Sequence, residues 1–272
     1  MPSAALKAYL DALVRRYETD AFIASDPISF PHAFDDPRDR EVIGLFAALL
    51  AWGRRSTLLN KLAELCERMA FRPYAFVMGF DPERDARALA GFKHRTFQPD
   101  DALWLVRSLQ AVLQRYGTLE ELFAAHLPPD TPHIGPAIRG FSETLLTIVP
   151  GTPVRLRKHL ARPDTGSACK RLSLYARWMV RPGPVDLGLW TRIRPSQLVL
   201  PLDVHVGRQA RALGLLTWRQ NDWRAVVELT EACRRLCPDD PVRYDFAFFG
   251  PGASGEPLDA RFVVCPEALT PA

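Results

Sequence analysis

The 272 residues hold 47% hydrophobic and 24% charged side chains at a net charge of +4, the balance of an ordinary globular protein with a sizeable core. No apolar run approaches the roughly 18–20 residues that cross a bilayer. The opening MPSAALKAYLDALVRRYETD reads as an amphipathic helix rather than a signal peptide, so a cytoplasmic protein with no membrane partner is expected. Five scattered cysteines (Cys66, Cys169, Cys233, Cys237, Cys265) without a C-x-x-C pair, and histidines without H-x-x-x-H spacing, argue against disulfides, zinc and iron–sulfur clusters. Neither a metal nor a cofactor is expected.

Helical periodicity dominates the chain from its start. Arg40 to Ala70 places apolar residues at three- and four-residue intervals, entered through Asp35, Asp36, Pro37 and Asp39, with Gly53 marking a break. A helix opens at Pro99 and Asp100 and stops at Gly117. Thr118 with Glu121 has the spacing of a capping box for a short following helix, and another helix starts near Pro136. The best β-like run, QLVLPL, is too short to imply a sheet, so the fold class is all-α. After Pro150, VRLRKHLARPDTGSACKRLSLYARWMVRPGP reads as helix, short turn at ARPDTGS, helix. PLDVHVGRQARALGLL opens a helix at Asp203. DWRAVVELTEACRRL is capped by Asn221 or Asp222, DPVRYDFAFFG forms the last helix, and an irregular tail is expected over 251–272.

Charge is unevenly spread. Gly151 to Gln220 holds thirteen Lys/Arg against three acids, +10, while the remainder of the chain carries −6. Such asymmetry is the footprint of a polyanion site. Within this segment a turn containing Gly166 and Ser167 can present backbone N–H groups to a phosphate, although a plain helix connection has the same residues. Lys170 stands out because the chain has only five lysines and thirty arginines. A neutral amine can attack an electrophilic carbon, which a guanidinium cannot. Free lysine is neutral only about once in a thousand near pH 7.4, and cations such as Arg171, Arg177 and Arg181 would favour the neutral form. An exposed lysine touching phosphate is the plainer alternative. Asp203 is suited to cap its helix, and a rigidly capped carboxylate can also face a developing cation or take up a proton.

A hairpin with a lysine opening its second helix, followed by an aspartate in L-D-x-H-V-x-R, resembles the helix-hairpin-helix DNA glycosylase superfamily, which includes endonuclease III and the 8-oxoguanine glycosylases. The blocks CKRLSLYARWMVR, PLDVHVGRQARALGLL and DPVRYDFAFFG look like a bacterial branch of it. The hairpin keeps one glycine where L-P-G-x-G-x-K has two, and Lys170 and Asp203 lie 33 positions apart. That spacing looks more like the archaeal-type 8-oxoguanine glycosylases than endonuclease III. The resemblance implies a two-lobed helical fold with DNA in the cleft between lobes: one lobe over 38–150, the other over 1–37 plus 151–250. It implies Lys170 as nucleophile on C1′, Asp203 as its assistant, and Gly166 and Ser167 as phosphate-holding amides.

Arg171, Arg177, Arg181, Arg208 and Arg211 are the expected DNA contacts. Because the target nucleotide must leave the stack, Trp52, Trp178, Trp190 and His205 are candidates for the base pocket, although core packing is the plainer account of each tryptophan. The expected activity is removal of an oxidised purine such as 8-oxoguanine from double-stranded DNA by a nucleoid-associated monomer, with strand cleavage by β-elimination. The alternatives are a non-catalytic helix-hairpin-helix module that recognises DNA structure and a helical metabolic enzyme using Lys170 on a carbonyl.

Overall fold

The computed structural model of the chain describes residues 3–269. All regular elements there are helical; the described residues contain no strand, only isolated bridges such as Ser167 with Asp222. None of these helices is long and apolar enough to cross a membrane.

The order begins α1 (Ala4–Tyr17), α2 (Asp20–Ile23), α3 (Ser29–His32), α4 (Pro37–Leu50) and α5 (Arg55–Arg68). Next come α6 (Pro73–Met78), α7 (Pro82–Leu89), α8 (Pro99–Tyr116), α9 (Leu119–Ala125) and α10 (Gly135–Thr147). The last third holds α11 (Lys170–Val180), α12 (Val204–Ala212), α13 (Trp223–Arg234) and α14 (Asp245–Ser254). Local chemistry explains many of the ends. Pro37 starts α4 under an Asp36 cap that accepts from the Arg38 amide at 2.8 Å. Gly53, at φ +91°, breaks the apolar pattern between α4 and α5. Thr118 Oγ1 caps α9 by accepting from the Glu121 amide at 3.1 Å.

Three stretches depart from the sequence reading. The first helix of the hairpin is only a 3-10 turn, Val154–Lys158. It lies between Pro153 and Pro163 and repeats like charge at Arg155, Arg157 and Lys158, too short a run to repay α-helix nucleation. Pro163 also disfavours helical backbone at Arg162. Asp222, not Asn221, caps α13, accepting from Ala225 N at 3.1 Å; Asn221 donates instead to the Asp203 carbonyl at 3.2 Å. DPVRYDFAFFG divides into a 3-10 turn, Pro241–Tyr244, and α14, which continues to Ser254. The chain beyond it is docked: Tyr9 stacks on Phe262 at 4.8 Å, and the amides of Val264 and Cys265 donate to the Ala212 carbonyl.

The core is one connected apolar cluster centred on α4, buried at every position from Glu41 to Leu50. A helix apolar all round belongs inside. It packs on α11 where Gly44 lets them close; a Cβ there would lie 2.6 Å from Met179 Cε. Glu41 is the polar exception. Its carboxylate accepts from Leu119 N (3.0 Å), Glu120 N (3.0 Å) and Trp190 Nε1 (2.7 Å), joining α4 to α9 and to the chain ahead of α12. Glu41→Ala strands three donors and should cost about 2–4 kcal/mol in a urea melt; a loss under about 1 kcal/mol contradicts this role. At the other end α1 docks on the last third of the chain, with Tyr244 Oη donating to Asp11 at 3.0 Å and Arg181 pairing with Glu18 at 2.6 Å.

Candidate functional site

The N-termini of α11, α12 and α14, the exit of α4 and the turn before α3 meet around one cleft of about 920 Å³. Lys170 is the first residue of α11, behind Cys169 in a left-handed conformation at φ +50°. Asp203 caps α12: Oδ1 accepts from the amides of His205 at 2.9 Å and Val206 at 3.0 Å. Its second oxygen, Oδ2, lies 3.4 Å from Lys170 Nζ. The two capping bonds hold the carboxylate still, so it is both helix cap and partner of the amine. Both side chains keep some solvent access, 28% for Lys170 and 17% for Asp203, so they can be reached from the cleft.

Two further carboxyls line the cleft, and the sequence singled out neither. Asp26 accepts from Ile28 N at 3.1 Å and faces Arg55 at 3.8 Å; burial pushes its pKa up. Asp245, first residue of α14, pairs with Arg177 through Oδ2 while Oδ1 is buried with no partner. Burial outweighs the attraction of Arg177, and the nearby Asp203 charge adds to it, so Asp245 is pushed up to about 7. Asp186 shares the same guanidinium, which is held above its ordinary range. The sign follows: between about 4 and 7 the folded state binds more protons at Asp245 than the unfolded state, so this group's contribution falls as pH rises. Asp245→Asn should therefore flatten the pH dependence of stability across that window in urea melts at pH 4, 5, 6 and 7. A slope equal to wild type contradicts it. No residue pattern could have located Asp26 or Asp245, because what distinguishes them is burial beside the amine.

The arginines divide. Arg177 and Arg181, expected at a DNA surface, are buried in the core. Arg177 bonds Asp186 and Asp245; Arg181 bonds Glu18, Asp186 and Asp240. Arg177 touches the cleft only from beneath. Arg211 is a loop strut, donating to the carbonyls of Trp218 and Gln220 and to Asn221 Oδ1. Arg208 is half-buried and in no ion pair among the described residues; neither it nor Arg211 lines the cleft. Arg171 does line it.

The basic segment is therefore much less basic in space than along the chain. Five of its arginines pair with acids outside it: Arg155 with Asp101, Arg162 with Glu143, Arg177 with Asp245, Arg181 with Glu18 and Asp240, and Arg192 with Glu121.

The aromatic candidates divide as well. Trp178 is fully buried and Trp190 is 4% exposed with its Nε1 on Glu41, so both are core residues and not base-pocket residues. Trp52 and His205 line the cleft, His205 edge-on to Phe249 at 6.0 Å. At the hairpin, Gly166 adopts φ +79° and its amide donates to Pro163 at 2.9 Å, while the Cys169 amide donates to Ser167 Oγ at 3.2 Å. These two amides serve the turn itself. Ser167 lines the cleft and Gly166 does not.

A family model described as "Protein of unknown function (DUF2400)" matches residues 26–254. The chain belongs to this family. The DUF2400 match contains every charged cleft residue named above, from Asp26 to Asp245, and extends through α14. No curated protein and no solved structure matches the chain.

Proposed function

We propose that this DUF2400 chain is a two-lobed DNA glycosylase of the helix-hairpin-helix type that excises a damaged base, an oxidised purine such as 8-oxoguanine, and cleaves the strand as a lyase. The observation that carries this reading is the 3.4 Å approach of the Lys170 amine to Asp203 in a cleft open to solvent. An ammonium cannot attack carbon, so Lys170 first passes a proton to the carboxylate beside it. The amine then attacks C1′ of an extruded nucleotide. The bond from C1′ to the base breaks with its electron pair on the base, which takes up the proton held by Asp203. The ionised carboxylate meanwhile faces the positive charge that develops on the sugar. One of the two protons left on the nitrogen passes to the ring oxygen, which opens the sugar and leaves a protonated Schiff base. The Asp203 carboxylate then takes up a C2′ proton, and the C3′–O bond breaks with its electron pair on the departing 3′ phosphate.

His205, on the cleft lining, supplies a flat surface for the extruded base. The test is borohydride trapping against a panel of duplexes carrying one lesion each, read as a covalent protein–DNA band. A band on an 8-oxoguanine duplex and none on undamaged duplex is expected. Salt-sensitive binding to duplex DNA without any band on the panel would leave the non-catalytic module as the better description.

A further inference from the structure

The two fully buried arginines among the described residues come with anions. Arg177 and Arg181 each touch at least two carboxylates. Arg171, mostly buried on the wall of the cleft, touches none; it donates to the carbonyls of Leu49 at 2.9 Å and Lys158 at 2.8 Å. Its remaining N–H groups have no protein acceptor among the described residues. Burial accordingly holds the guanidinium below its ordinary range. A desolvated charge without a counter-ion is unfavourable unless a ligand supplies one.

The neighbouring groups point the same way. Two guanidiniums approach the Trp52 ring, Arg171 at 5.7 Å and Arg95 at 5.3 Å from its centroid. Trp52 Nε1 is a buried donor without an acceptor. Arg95 is exposed, enters no ion pair among the described residues, and holds φ +53°, a conformation unfavourable for an arginine. Gly53 makes room for it: a Cβ there would lie 2.9 Å from Arg95 Nη1. A strained loop, a bare glycine and two unneutralised guanidiniums thus converge on one indole whose N–H is unused.

We propose that Arg171 and Trp52 on the wall of the cleft, with Arg95 beside them against the Trp52 ring, form a phosphate-binding subsite at the edge of the cleft. Paired guanidiniums suit the oxygens of a phosphate, which accept forked N–H donors. The subsite deepens the DNA reading, on which its assignment to a backbone phosphate rests, by naming the groups that would hold the strand beside Lys170. It also relocates part of the expected anion contact to Arg95, outside the basic segment.

Anisotropy titrations with a labelled duplex bearing a tetrahydrofuran abasic analogue test it, run at several salt concentrations on wild type, Arg95→Gly and Arg171→Lys. Glycine suits the positive φ, so Arg95→Gly leaves the fold in place. Each variant should weaken binding about tenfold, and Arg95→Gly should lower the slope of log K against log salt by about one. Inorganic phosphate and deoxyadenosine monophosphate are titrated in parallel. Weakened duplex binding assigns the subsite to the DNA backbone. Weakened binding of the small phosphates with duplex affinity unchanged assigns it to a free phosphorylated ligand. Wild-type affinity of both variants for all three probes, or no binding of any probe by wild type, overturns the subsite. None of these readouts involves the Lys170 adduct, so a protein that binds through Arg95 yet traps nothing keeps the subsite and loses the glycosylase.

Discussion

Lys170→Gln should abolish the borohydride-trapped band and lower base excision by about a thousandfold or more. Glutamine fills similar space at the first position of α11 and cannot form a Schiff base, so binding to duplex DNA should persist. Asp203→Asn is the companion variant. Asparagine caps a helix as well as aspartate does, and the two bonds from the His205 and Val206 amides can be kept on its side-chain oxygen. The fold therefore stays intact while proton acceptance and the facing negative charge are removed, with an expected loss of roughly 10²–10⁴ in excision rate. Single-turnover kinetics on the trapped lesion measures both. An adduct that survives in Lys170→Gln would transfer the chemistry to another residue. An unchanged rate in Asp203→Asn would reduce that carboxylate to a cap.

Asp186→Ala should be the most destabilising single change named here. The Asp186 side chain is fully buried and accepts from Arg177 Nε at 3.2 Å and Arg181 Nη1 at 2.7 Å, bridging two buried guanidiniums. Removing the bridge leaves Arg177 to a single carboxyl, Asp245, that burial already pushes toward neutrality. Breaking a buried pair of this kind costs about 3–5 kcal/mol, equivalent to a fall in Tm of roughly 10 °C for a domain of this size. Asp186→Asn, which keeps one acceptor, should lose less. A thermal melt decides it, and a shift within about 2 °C of wild type would mean that Glu18, Asp240 and Asp245 hold both arginines without help.

The network also ties the site to the fold. Arg177 sits two turns beyond Lys170 on α11 and grips Asp245 at the start of α14, while α12, carrying Asp203, packs along α14. Three helix N-termini are thereby set against one another by a charge cluster beneath the cleft. For that reason stability and catalysis should separate by depth: changes at Asp186 are read in melts, changes at Lys170 and Asp203 in turnover.

What the sequence determined by itself was local. Helix starts and stops at Pro37, Pro99, Gly117, Thr118 and Asp203 were legible because a cap or a proline acts on backbone only a few residues away. The capping role of Asp203 was legible for the same reason, whereas Lys170 was singled out by the scarcity of lysine and by the resemblance, not by a local signal. The tertiary structure alone decided which charges are free. Arg155 meets Asp101, and Arg181 meets Glu18, across separations of 54 and 163 residues, so a count of charge along the chain could not foresee their neutralisation. It decided likewise that Trp178 and Trp190 are core while Trp52 faces the cleft, and that Asp26 and Asp245 sit beside the amine. Periodicity reports which face of a helix is buried; which distant carboxylate or cavity that face meets is settled only when the helices pack.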